Sequence, residues 1–488
     1  MSKHLMRLLS DEDVGKIREE SIKVLEEVGV KVSHEKAKKL LEEAGARVDH
    51  DTNLVLIPRS LIEECLKKLP RQILMAGRDP SRDVVLESDR QNVYNRSMTG
   101  AEGWIDLHTD KYRKVVLSDV KDFATIDDAL ENIHIATAPY YCDENLNLAA
   151  RDVRLLQIML ENTSKHILMQ PYGGKNTEYM VELGIAELGS AEALRKRPRF
   201  TVMTSPVPPL TYHGNEIDVM FCAGKYGIPL EITSMPICGA ASPVTIVGGV
   251  LMTIAEHLAG VVISQVAHPG APVIFAPRTC VLDMSTGSAL EGTVENAMIS
   301  AAETQVAKEG FGWFADMYGP TSDSLMHDGQ SVIERTFNTI LSRFAGADIL
   351  AGGGNYEHSY TMDIVQLAVD NEIFGMAARA VKKLEVNDDT LGVAAMRRVG
   401  AGVDRNYLID PHTMKYFKTE YSKHKLMVHS SRAIWESTGG KNLLERARER
   451  VKSILREYKP APLPERIAQE QRAIAVRAEQ EITEATTV

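Results

Sequence analysis

Cysteine is scarce in this chain: Cys65, Cys142, Cys222, Cys238 and Cys280 are the only five in 488 residues. None stand in a CxxC spacing, so no disulfide framework is implied. Positive charge is also short. The formal net charge is −11 and no run of five basic residues occurs, which argues against a nucleic-acid partner. No GxGxxG or P-loop follows the first predicted strand, leaving dinucleotide and nucleotide binding without support. The N-terminal stretch MSKHLMRLLSDED has no long apolar run. The most apolar stretch, 246–266, is broken by glycines, Glu256 and His257, and reads as a buried helix rather than a membrane span. A reduced, soluble, cytoplasmic protein is the expectation, with no membrane partner.

What is present is ordinary globular composition, 44% hydrophobic and 25% charged. Ser10-Asp11-Glu12-Asp13 offers an N-cap and an acid three residues on. Val14, Ile17, Val24, Leu25 and Val28 then recur near helical period. Two further helices are predicted around Leu40 and over 60–69. From about Asp83 short apolar runs alternate with helical patterns. The runs are 92–98, 133–139, 166–173, 200–206, 230–236, 272–278, 312–319 and 348–354. Strands alternating with helices argue for a parallel sheet, and eight such units for a closed (β/α)8 TIM barrel; an open doubly wound sheet is the runner-up. GWIDLHTDKYRKVV, after the first strand, reads as a hairpin around Thr109-Asp110. The predicted organisation is an N-terminal helical segment over 1–82, the barrel over 83–385, and a C-terminal helical extension and tail over 386–488.

Side chains at the C-terminal ends of barrel strands converge on one mouth. The predicted mouth has no lysine, which disfavours Schiff-base chemistry. It is rich in tyrosine, with Tyr94, Tyr140, Tyr141, Tyr172, Tyr318 and Tyr356, and also carries Asn95, Arg96, Gln170, Thr204, Ser205, Thr233, Ser234, Arg278, Asp316, Asn355, Glu357 and His358. Converging tyrosines suit a quaternary ammonium, which offers no N–H and is held by aromatic faces and nearby carboxylates. Tyrosine also packs readily at a barrel rim. The glycines of AGGGNYEHSYTMD, 351–363, have three readings: room for a bulky ligand, close packing, or backbone N–H groups for a phosphate. Cys142, Cys238 and Cys280 with His213 and His358 leave a zinc site as an alternative, although no metal-ligand spacing is present.

The run GADILAGGGNYEHSYTMDIVQLAVDNEIFG resembles the end of the barrel in the trimethylamine methyltransferase family. The N-terminal RLLSDEDVGKIREESIKVLEEVGVKV and the closing HSSRAIWESTGGKNLLERARERVKSIL are similar to it as well, so the likeness spans nearly the whole chain. It implies a (β/α)8 protein that moves a methyl group from an amine to the cobalt of a separate corrinoid protein. Archaeal trimethylamine enzymes of the family carry pyrrolysine. The corresponding segment here, DMYGPTSDSLMHDGQ at 316–330, has only ordinary residues, as in members resembling glycine betaine methyltransferases.

Under this resemblance Tyr94, Tyr140, Tyr141 and Tyr356 cage the trimethylammonium group, and Asp316 or Glu357 balances its charge. Arg278, His358 or Asn355 holds a carboxylate, and Asn95 and Gln170 complete the substrate-binding set. No catalytic acid or nucleophile is assigned. The cofactor is cob(I)alamin, or methylcobalamin after transfer, on a partner corrinoid protein, and the chain itself binds no metal. A homo-oligomer is expected. The alternatives are a zinc-dependent corrinoid methyltransferase on the same barrel and a non-catalytic quaternary-amine binding protein.

Overall fold

The computed structural model describes residues 6–142 and 148–486. Eight parallel strands follow the predicted runs: β1 Tyr94–Ser97, β2 Ile135–Ala136, β3 His166–Met169, β4 Phe200–Thr204, β5 Leu230–Ile232, β6 Val273–Phe275, β7 Asp316–Tyr318 and β8 Ile349–Gly353. Their spatial order, β6-β5-β4-β3-β2-β1-β8-β7, is the chain order taken round a ring. A parallel bridge from Phe275 to Ala315, the residue before β7, joins the ends. An open doubly wound sheet would reverse direction at a switch point; this one does not. β3, β4, β5, β6 and β7 are buried at every position, as expected for strands covered on both faces.

A long helix follows each strand: α1 Leu117–Ala129, α2 Arg151–Asn162, α3 Gly174–Leu188, α4 Gly214–Tyr226, α5 Ile246–Ala267, α6 Val294–Gln305, α7 Gly329–Phe344 and α8 Ile364–Ala380. α5 has the length and hydropathy of a membrane span, but 72% of its most apolar window is buried within the protein. It is a core helix.

The N-terminal end of the barrel is corked. An antiparallel hairpin, Gln72–Met75 with Val84–Glu87, brings Ile73, Met75, Val84 and Leu86 against Leu168, Ile274, Phe314 and Ile349 of the interior. Access is therefore confined to the C-terminal end. The helix Asp11–Glu27 begins with the capping box read from the sequence: Ser10 and Asp13 cap each other reciprocally. The strand Val30–Val32 was not anticipated. It pairs with Thr211–Tyr212 in the connection after β4 and ties the N-terminal helices to the barrel. The predicted hairpin forms from Gly103–Ile105 and Tyr112–Lys114. At the C-terminus, Glu465–Thr486 is one long helix lying on α2 and α3, held by Arg154–Glu479 at 2.8 Å and Arg472–Glu161 at 2.7 Å.

The glycines that end β8 are filled by the protein itself. A Cβ on Gly352 would stand 2.8 Å from Thr321, and one on Gly353 2.9 Å from Leu367. Gly352 and Gly354 also have φ of +117° and +84°, where a side chain is strained. Of the three readings of this motif, close packing is the one realised: the glycines admit α8 and the loop after β7 and leave no open space.

Candidate active site

Strand alternation turns Arg96 of β1 into the barrel and its neighbours Asn95 and Ser97 outward. Arg96 Nε donates to Asp316 Oδ2 at 2.6 Å. From the other side Arg278 Nη2 donates to Asp316 Oδ1 at 2.9 Å, and its Nη1 to the Asp316 carbonyl at 3.0 Å. One carboxylate thus lies between two guanidiniums on the barrel axis. Burial works to raise its pKa, but the charges of Arg96 and then Arg278 hold it below the usual range. Glu231 on β5 lies 3.7 Å from Arg96 Nη2. Burial, then the Asp316 charge, pushes its carboxyl well above the ordinary value. Among the described residues neither Glu231 oxygen has a hydrogen-bond partner, and burial beside the Asp316 charge favours its neutral form. Beyond this layer the Arg278 guanidinium lies over the Tyr318 ring, 5.1 Å from its centroid.

A cavity of about 520 Å³ opens at the C-terminal ends of β2, β3 and β4. Tyr140, Gln170, Tyr172, Thr204, Arg151 and Glu216 form much of its wall. The Tyr140 hydroxyl donates to the Gln170 carbonyl at 3.0 Å. Met203 also lines the cavity and lies opposite Glu231 in the β4–β5 register.

Over β8 the chain makes a second assembly. Asn355–Tyr356 pairs with Thr361–Met362, which pairs with the hairpin strand Gly103–Ile105. Between them Glu357, His358 and Ser359 all adopt left-handed backbone, with φ of 53°, 52° and 68°. Such residues cost about 1–3 kcal/mol each and persist only where their surroundings hold them. Here Glu357 accepts from Thr361 Oγ1 at 2.8 Å, His358 Nδ1 meets Asp323 at 2.7 Å, and Ser359 Oγ donates to Glu291 at 2.6 Å. The hydrogen bond to Asp323 raises the His358 pKa. Arg335 of α7 supports the turn from below. It is paired to Asp370 at 3.0 Å, hydrogen-bonded to Asn355 Oδ1 at 3.2 Å, and lies 4.9 Å from the Tyr356 ring centroid.

The residues predicted for the mouth therefore divide. Tyr140 and Gln170 meet at the cavity, whereas Arg278 and Asp316 pair with each other in the buried charged layer and do not line it. Tyr94 lies instead at the corked end: it is the first residue of β1, and its hydroxyl donates to Val85 of the hairpin at 3.3 Å. Asn95 faces outward, donating to the Asn132 carbonyl and accepting from Arg343, both at 2.8 Å. Tyr141 is buried, and burial, with the charge of Glu479 on the C-terminal helix, pushes its hydroxyl up to about 12. Tyr356 is buried with its hydroxyl on Gln366 at 2.8 Å. It and its neighbours Asn355, Glu357 and His358 belong to the turn over β8. Of the predicted tyrosines, Tyr140 and Tyr172 line the cavity.

Arg96 was expected at the mouth without a role, and Glu231, Arg151 and Glu216 were not singled out from the sequence. An acid inside the apolar run LEITSMP was the available signal for Glu231, whereas Arg151 and Glu216 merely open helices. Among the described residues no three histidine, cysteine or acidic side chains are grouped at metal-ligating range, and burial pushes the Cys280 thiol up to about 12.

The family model described as trimethylamine methyltransferase matches residues 2–483. A trimethylamine methyltransferase of Desulfitobacterium hafniense is 32% identical over 97% of this chain and 94% of its own length. One from Methanosarcina barkeri is 30% identical over 97% and 95%. A glycine betaine methyltransferase of Desulfitobacterium hafniense is 26% identical over 97% of both chains. Among solved structures, the monomethylamine methyltransferase of Methanosarcina barkeri superposes with a TM-score of 0.54 at 10% identity, covering 93% of this chain and 89% of that one, a likeness of fold alone.

Proposed function

This chain belongs to the trimethylamine methyltransferase family, and we propose that it transfers a methyl group from a quaternary amine to the Co(I) corrinoid of a separate protein. Glycine betaine, which would leave dimethylglycine, is the favoured substrate. The observation that carries this reading is the strand-end cavity walled by Tyr140 and Tyr172 with a carboxylate, in a chain whose segment 316–330 holds only ordinary amino acids. The betaine-named relative supports the choice of substrate.

The chemistry asks little of the protein. In a quaternary ammonium the breaking N–C bond leaves its electron pair on nitrogen, which departs as a neutral amine, so no proton need be delivered. The reduced cobalt of the corrinoid supplies the nucleophile for the methyl carbon. The chain's own residues orient the substrate and keep water away, and orientation contributes up to about 7–11 kcal/mol in favourable cases. Tyr172 and Leu148 are exposed at the rim, which suits the approach of a bulky carrier. Five free thiols fit the reduced, cytoplasmic setting.

The test is a visible-absorbance assay with purified protein, reduced corrinoid and a panel of amines. Methylation with glycine betaine and none with trimethylamine is the expected result. Transfer from trimethylamine alone, or loss of transfer on zinc chelation, would overturn it. Binding of betaine without any transfer would favour the non-catalytic alternative.

A homo-oligomer forms part of the proposal. In the stretch 384–421, Leu384, Val386, Val403, Leu408, Ile409 and Tyr421 are each 75% or more exposed, and Ala395 is its one buried hydrophobic. A segment with so little core needs a permanent cover, and a carrier that must leave after each turnover does not provide one. A second copy of the chain does. Light scattering should report at least a dimer, and a concentration-independent monomer would refute this.

A further inference from the structure

The charged groups on the cavity wall form an unbalanced pattern. Arg151, the first residue of α2, lays its guanidinium over the Tyr140 ring, 4.2 Å from the centroid, and donates from Nη1 to Glu102 at 3.0 Å. A guanidinium has five N–H groups in a fork suited to carboxylates. In the first turn of α4 is Glu216, whose backbone carbonyl accepts from Thr204 Oγ1 of β4 at 3.4 Å. Its Oε2 is buried, and among the described residues no donor reaches it.

A second wall acid, Asp152, is fully engaged. It accepts from the Tyr172 N–H at 2.7 Å, the Val153 N–H at 2.8 Å and Asn176 Nδ2 at 2.7 Å. Arg278, expected from the sequence to take a substrate carboxylate, is committed to Asp316. The same concave surface therefore presents one cation, Arg151, paired through Nη1 with Glu102 and lying on the Tyr140 ring, together with one carboxylate oxygen unpaired among the described residues and the second tyrosine, Tyr172.

That pattern complements a fixed zwitterion. A buried carboxylate oxygen without a donor is costly, and a cation lowers that cost even when it has no N–H to give. We propose that this cavity seats an N-methylated amino-acid zwitterion, with Glu216 and the Tyr172 ring holding the quaternary ammonium head and Arg151 holding the carboxylate. The inference rests on the quaternary-amine reading above and adds the residues that set the substrate class. It separates carboxylate-bearing betaines from simple onium ions such as tetramethylammonium.

Titration calorimetry on the full chain tests it with three probes: glycine betaine, tetramethylammonium (head only), and 3,3-dimethylbutanoate (a neutral-headed isostere that keeps the carboxylate). Wild type should bind betaine at least tenfold more tightly than either partial probe. Glu216→Gln should weaken betaine and tetramethylammonium fivefold or more and leave dimethylbutanoate unchanged. Arg151→Gln should weaken betaine and dimethylbutanoate and leave tetramethylammonium unchanged, and Arg151→Lys should recover part of the loss. Thermal melts of each variant report folding.

The seat is refuted if betaine affinity is unchanged in both variants, if all three probes weaken alike, or if wild type binds none of them. The methyl-transfer reading fails separately: the binding pattern would hold while no methyl group reaches the corrinoid. Conversely, methyl transfer from betaine with binding indifferent to both residues would refute the seat and leave the reaction standing.

Discussion

Asp316→Ala is expected to destabilise the protein by about 3–5 kcal/mol, because removing one partner from a buried ion pair leaves the other charge uncompensated. Two charges are affected here. Arg96 is fully buried and Arg278 nearly so, and Asp316 is hydrogen-bonded to both. Glu231 can compensate in part. Its burial and the neighbouring Asp316 charge favour its neutral form; with Asp316 gone, it would ionise beside Arg96. A second substitution, Arg96→Met in the Asp316→Ala background, should therefore recover stability, since the surplus cation is removed and neighbouring sites couple. Urea denaturation of the single and double variants measures both effects. A cost under about 1 kcal/mol for Asp316→Ala would mean that water reaches the axis and screens the pair, as at exposed sites.

Glu303→Gln is expected to change how stability responds to pH. Glu303, on α6, is buried and accepts from Thr279 Oγ1 at 2.5 Å. Burial pushes its pKa from 4.5 to about 8, against the hydrogen bonds from Thr279 and Thr253. Because the folded value is the higher one, between pH 4.5 and about 8 the folded state keeps a proton that the unfolded state has released. The contribution is fully present below the unfolded pKa and is lost as pH rises through the folded one, by up to ~1.4 kcal/mol per unit.

Glu256, pushed to about 7 by burial, acts in the same direction over a narrower window. The histidines His134, His166 and His257, held near 3 by desolvation, act at the acid side, in wild type and variant alike. The comparison that isolates Glu303 is thus the difference between the two proteins. They should be equally stable near pH 5, with the glutamine variant the more stable at pH 8.5. Parallel profiles across that range would show that Glu303 is ionised in the folded protein.

Some features were written locally and could be read. The Ser10–Asp13 capping box depends on residues three apart, and the hairpin at 103–114 on its own turn, with Asp110 at φ 60°. Others were masked by misleading local signals. α7 carries Ile333 and Phe337 at helical spacing, yet these are 71% and 41% exposed, while Arg335, Asn338, Thr339 and Arg343 are buried. Its inward face is polar because it grips backbone carbonyls: Arg335 takes that of Pro320, and Arg343 those of Ala347 and Tyr94. The glycines after β8 looked like space left for a ligand, and they are space taken by Leu367 and Thr321. A missing side chain does not say what occupies its place.

The sequence by itself determined the number of βα units, and with it the barrel, because side-chain periods of 2 and 3.6 recur within each short stretch. It also carried the family likeness. Only the tertiary structure decided which strand residues face the axis and which meet one another. A shift of one residue in a strand exchanges its inward and outward faces, which is why Asn95, expected at the mouth, faces outward while its neighbour Arg96 faces the axis. The partnership of Arg96, Glu231, Arg278 and Asp316 joins residues 220 positions apart. No local pattern encodes such a meeting; it arises when the ring closes and buries these charges together, where each must find an opposite charge or a proton.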